Sequence, residues 1–83
     1  MTSKEVAIIS KALRSAAEGR VMGFDEDNAR TAACRIGIAF ALENPNFNIG
    51  GFVAAATDLE LATEEREAKE AEEAAIAKEF AAN

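Results

Sequence analysis

Histidine, tyrosine and tryptophan are missing from this 83-residue chain, and cysteine and proline occur once each. Without histidine the commonest general base and metal ligand is absent, and a Cys–His nucleophile pair is impossible. A single thiol, Cys34, cannot form an internal disulfide, so the fold does not depend on an oxidising compartment. No apolar run approaches the ~18 residues of a membrane span. Near the N-terminus Lys11 and Arg14 interrupt the short apolar stretch, which argues against a signal peptide. These absences point to a cytosolic protein with no membrane partner.

Large apolar side chains are also scarce. Apolar residues make up 49% of the chain, but many are alanine. The expected core formers are Val6, Ile8, Ile9, Leu13, Val21, Phe24, Ile36, Ile38, Phe40, Leu42, Phe47, Phe52 and Val53, all in the first two-thirds. A chain of this size holds one small core, with net stability of only ~3–5 kcal/mol, and no deep substrate cavity. A single domain over residues 1–83 is expected, with its core at about 3–62.

Charge is unevenly placed. The net charge is −6. Residues 1–42 carry six Lys/Arg and five Asp/Glu, whereas residues 43–83 carry three and ten. A near-neutral body joined to an acidic half is the most informative feature of the composition.

The periodicity predicts an all-α fold, a small bundle of three to four helices with a long acidic C-terminal helix. Thr2 and Glu5 have capping-box spacing, and Val6, Ile9 and Leu13 recur at helical spacing up to Gly19, expected to close the helix in the left-handed conformation. Asp25 is a good N-cap for a second helix running to about Glu43, with Glu26 and Arg30 paired at i, i+4. Ala32–Leu42 is apolar on nearly every side, the pattern of a central buried helix, and Gly37 is placed to let a neighbour approach. Asn44-Pro45 ends that helix. Asn48 then caps a short third helix over about 49–56, with Phe47 and Phe52 at the N′ and N4 positions of a hydrophobic staple. The staple must offset Gly50 and Gly51, each roughly 1 kcal/mol worse than alanine in a helix. Thr57 and Glu60 have capping-box spacing for a fourth helix, about 58–81, whose apolar face thins to alanines after Ala62. Its first two turns are expected to pack on the core and the rest to project.

No chemistry-bearing constellation emerges, and no catalytic, cofactor or metal site is assigned. Asp25-Glu26-Asp27-Asn28 starts like a calcium loop, but Arg30 and Ile36 stand where glycine and glutamate are needed. Gly50-Gly51 lies at a helix start that could receive an anion, yet no Lys or Arg is adjacent. The second and third helices could be drawn as a helix-turn-helix, but residues 36–65 contain no Lys or Arg, which excludes direct nucleic-acid reading. Cys34 reads as a buried structural thiol, and Lys4, Lys11, Arg14, Arg20, Arg30 and Arg35 as a solvated face.

The segment Asn44–Thr57, NPNFNIGGFVAAAT, resembles one that recurs in small uncharacterised proteins of tailed bacteriophages and prophages. Their pattern is approximately Asn-Pro-x-Phe-Asp, three variable positions, then Phe-x-x-Ala-Cys-Gly. Asn44, Pro45, Phe47, Phe52 and Ala55 match. Asn48 replaces the usual Asp and still caps; Ala56 and Thr57 replace Cys and Gly, where this chain continues into a further helix. The resemblance implies a phage accessory protein that binds and inhibits a host complex in the bacterial cytosol, including anti-CRISPR-like inhibitors.

The acidic helix is the candidate partner-binding surface. Glu60, Glu64, Glu67, Glu70 and Glu72 are expected to form a row that meets a host protein or protein complex with a basic surface. The alternatives are a charge-rich tail that keeps the protein solvated, and a self-associating assembly or scaffold module, a homodimer through this helix.

Overall fold

The computed structural model describes residues 2–81; Met1, Ala82 and Asn83 of the expected 1–83 domain lie outside the described residues. It contains four α-helices: α1 (Ser3–Glu18), α2 (Glu26–Glu43), α3 (Ile49–Ala56) and α4 (Leu59–Ala81). A 3-10 turn at Val21–Gly23 joins α1 to α2. The all-α bundle and the helix boundaries expected from the sequence are observed.

Local chemistry sets those boundaries. Thr2 Oγ1 accepts from the Glu5 amide at 3.2 Å. Asp25 and Asn28 exchange reciprocal side-chain-to-backbone bonds of 2.9 and 3.0 Å at the start of α2, and Arg30 bonds Glu26 at 3.1 Å one turn on. Asn48 Oδ1 accepts from the Gly51 amide at 2.9 Å. Two of the caps differ from expectation, although the helix ends fall within a residue of it. Gly19 stays right-handed (φ −81°) and the left-handed residue is Arg20 (φ 48°), followed by Met22 (φ 53°) and Gly23 (φ 81°). The cap of α4 is Asp58, whose Oδ1 accepts from the Leu61 amide at 3.0 Å. Thr57 instead donates its hydroxyl to the Val53 carbonyl at 2.8 Å, closing α3.

The staple gains a third ring. Phe47 and Phe52 lie 5.7 Å apart between centroids, and Phe40 from α2 meets them edge-on at 5.2 and 5.7 Å. Such pairs add ~0.5–1.5 kcal/mol each beyond the area they bury. Beside the rings, Gly37 is buried, and a Cβ there would lie 3.1 Å from Ile49 Cγ2 and 3.6 Å from Phe52 Cδ2. The glycine therefore lets α3 settle onto α2.

The central helix is α1, not α2. It packs on α2, α3 and α4, whereas α4 packs on α1 and scarcely touches the others. The expectation that α2 is enclosed fails because Ile38 and Leu42 face outward. Ile8 and Val21, also expected inside, are exposed. The innermost positions belong to Ala17, Ala29, Ala33, Ala56 and Ala62 with Phe52. Val6, Ile9, Leu13, Ile36, Phe40, Phe47 and Val53 pack around this centre, half-buried. Alanine dominates because helices crossing at close range leave no room for branched side chains between their backbones.

Candidate protein-interaction surface

What fixes α4 to the body is mostly polar. Ala62 is its one fully enclosed side chain among the described residues. Beside it the Arg14 guanidinium holds both oxygens of Glu65, Nε to Oε1 at 2.7 Å and Nη2 to Oε2 at 2.8 Å. Arg14 Nη1 also donates to Ser10 Oγ and to the Ala55 carbonyl in the last turn of α3, both at 3.4 Å. One cation thus ties α1 to α3 and α4 together. A second clasp lies a turn away, where Glu18 accepts from Arg66 Nε at 2.9 Å and Thr63 Oγ1 at 3.4 Å.

Arg14 was expected on a solvated face; it is 8% exposed. It lies on the inward stripe Ser10–Arg14–Ala17 of α1, at spacings of four and three. An arginine on that stripe requires a carboxylate partner, and Glu65, three residues after Ala62, is the acid that shares the inward face of α4. These spacings were the available signal for the pair that the sequence reading missed. The hydrogen bonds from Arg14 hold the Glu65 carboxyl below the usual glutamate range; desolvation opposes this, and the charges of Arg14 and Lys11 add to it. The same bond from Glu65 raises Arg14, against desolvation and with help from the charges of Glu65 and Asp58.

Beyond Arg66 every described residue of α4 is exposed. The rod makes the molecule 54 Å long against 28 and 18 Å across. The expected projection of the second part of α4 is therefore observed.

The five candidate glutamates do not form one row. Successive residues turn by about 100° around a helix, so Glu60, Glu64 and Glu67 share the face pointing away from α1. All three are exposed and, among the described residues, have no cation within ion-pair distance. Glu70 lies on one flank, paired with Arg66 at 3.1 Å. Glu72 lies on the other flank, in the groove between α1 and α4.

Among the described residues, two grooves border α1. One of about 390 Å³ runs between α1 and α3, lined by Val6, Phe47, Asn48 and Phe52. The other, of about 800 Å³, opens where α1 and α4 splay apart, between Ile8, Lys11 and Ala12 on one wall and Ala68, Lys69 and Glu72 on the other. Among the described residues no three His, Cys, Asp or Glu side chains converge to hold a metal ion, and no helix is long and apolar enough to cross a membrane. No protein-family model, curated protein or solved structure matches the chain.

Proposed function

We propose that this protein is a non-catalytic binding module of phage or mobile-element origin that blocks a host protein complex engaged in defence or nucleic-acid handling. It does so by laying the outward carboxylates of α4 on a basic surface of that complex. The observation that carries this reading is the set Glu60, Glu64 and Glu67. Three exposed carboxylates without cationic partners share one face of a helix, and the Arg14–Glu65 and Glu18–Arg66 clasps hold that helix in a fixed direction. Holding the carboxylates on a rod before binding lowers the ordering cost of the complex, and their field speeds encounter with a basic partner. The phage origin rests on the resemblance of Asn44–Thr57 alone.

Affinity capture from bacterial lysate tests the proposal. The wild-type chain is expected to retain a defined host protein in about 50 mM salt and to lose it steeply as salt rises toward about 500 mM, as charge screening requires. The captured complex should lose activity in proportion to the protein added. Glu60→Lys, Glu64→Lys and Glu67→Lys together should abolish capture. Retention of the same partner by the charge-reversed variant would reject the acidic face as the contact.

A further inference from the structure

Several faces of the molecule leave large apolar side chains exposed, Ile38 and Leu42 on α2 among them, and two of these faces carry charges of opposite sign beside the apolar residues. The first is the side of α1 that forms one wall of the open groove beside α4. Lys4, Ile8, Lys11 and Ser15 recur at spacings of four, three and four, so they share one side of the helix. Ile8 is 58% exposed, and the Lys11 side chain is 63% exposed, reaching Glu65 only at 3.9 Å. Ile8 has a lysine one turn before it and another one turn after it, which make one edge of this face positive, and Glu5 borders its other edge.

The second is the far end of α4. The stripe that meets α1 at Ala62 and Glu65 continues along the rod through Lys69 and Glu72 to Ile76 and Phe80. By then the two helices have splayed apart. Ile76 is 46% and Phe80 76% exposed, flanked by Glu72, Glu73 and Glu79. This face is apolar at its centre and negative around it, the counterpart of the first.

We propose that two copies of the chain associate, with the Ile76–Phe80 end of α4 in each copy seated on the Lys4–Ile8–Lys11 face of α1 in the other. The occupant is a second copy because the chain itself carries both complementary halves. A two-fold axis makes the contact twice, as closed dimers do. Each copy is net negative, so the pair repels at long range. At about 0.15 M salt that repulsion is screened beyond ~8 Å, while Lys–Glu contacts at ion-pair distance and the covered Phe80 ring persist. The interface is small, and a dissociation constant on the order of 100 µM is expected. The Glu60–Glu64–Glu67 face lies on the opposite side of α4 and stays open in the dimer, so the contact is independent of the proposed function.

Sedimentation equilibrium from about 10 µM to about 1 mM reads the association. The wild-type mass should climb toward that of a dimer, and Phe80→Glu should weaken the association at least ~10-fold. The decisive arm uses two charge-reversed chains. One carries Lys4→Glu and Lys11→Glu; the other carries Glu72→Lys, Glu73→Lys and Glu79→Lys. Each alone sets like charges against each other and should remain monomeric. Mixed, they restore opposite charges at both contacts and should form a heterodimer. All the substituted positions are exposed, and circular dichroism checks that each chain stays helical. A wild-type chain that remains monomeric at about 1 mM overturns the proposal, as does a dimer indifferent to Phe80→Glu or a mixture that fails to associate.

Discussion

Arg14 and Glu65, 51 positions apart in the chain, are joined by two parallel hydrogen bonds of 2.7 and 2.8 Å. The two ends differ in access to water: the Arg14 side chain is 10% exposed and that of Glu65 24%. The difference sets the cost of removing either partner, because a charge left without its partner is expensive in proportion to how poorly water can replace the lost bond.

Glu65→Ala strands the more enclosed guanidinium and is expected to lower unfolding free energy by about 2–3 kcal/mol. Arg14→Met keeps the buried stem of the side chain, leaves Glu65 able to hydrate, and should cost about 1 kcal/mol. The double variant should cost less than the sum of the two, since the stranded charge is gone. Urea unfolding of the four chains measures this. Additive effects, or a larger loss from Arg14→Met, would contradict the enclosed geometry of the arginine.

The same pair gives stability a defined dependence on acidity. The carboxyl of Glu65 lies below its ordinary value in the folded chain, chiefly through the bonds from Arg14. A lowered carboxyl binds its proton more readily in the unfolded chain. Its contribution is therefore fully present above the unfolded value of about 4.3 and lost as pH falls through the lower folded value. Arg14 stays charged throughout, its own value being raised. Wild type should exceed Glu65→Gln in stability at neutral pH, with the gap closing well below pH 4.3. A gap that stays constant through acid would show that the carboxylate charge is not what Arg14 holds.

Met22 combines a left-handed backbone (φ 53°) with a fully exposed side chain. The conformation costs an L-residue about 1–2 kcal/mol, and no packing offsets it. Glycine removes that strain but adds unfolded-state entropy, so Met22→Gly should stabilise by about 0.5–1 kcal/mol. Gly23→Ala next to it meets open space yet must hold φ 81°, and should destabilise by about 1 kcal/mol for the same reason. Thermal unfolding separates the two. Equal signs would mean that the turn relaxes to another conformation once substituted.

These cases show which parts of the structure were legible in the sequence. Asp25, Asn48 and the Phe47–Phe52 staple act within a few residues of themselves, and their spacing alone placed the ends of α2 and α3. The shift of the α4 cap from Thr57 to Asp58 was not legible, because either side chain could have served and the choice fell to the Thr57 bond that closes α3. Side-chain size alone predicts Ile8, Ile38 and Leu42 inside, whereas all three are exposed. The centre is set by helix proximity, and alanine gives no periodic signal of its own in an alanine-rich chain. Charge alone groups the five candidate glutamates; helix rotation separates Glu60, Glu64 and Glu67 from Glu70 and Glu72. Charge alone groups Arg14 with the exposed cations, whereas its stripe spacing with Ser10 and Ala17 points inward.

Deletion from residue 74 onward isolates what the end of α4 contributes. Every described residue after Arg66 is exposed, and both clasps to α1 lie at Thr63, Glu65 and Arg66. Every described residue of the last turns is exposed in the monomer, and a solvated helix end adds little stability without packing. At about 5 µM, where self-association is negligible at the affinity expected above, the shortened chain should unfold within about 0.5 kcal/mol of wild type. Deletion from residue 63 onward removes both clasps, exposes the Arg14 site and should cost several times more. If the shorter deletion were instead to destabilise by about 2 kcal/mol or more, Ile76 and Phe80 would have to fold back onto α1 in solution. The far end of the rod would then be part of the body rather than a surface held out for a partner.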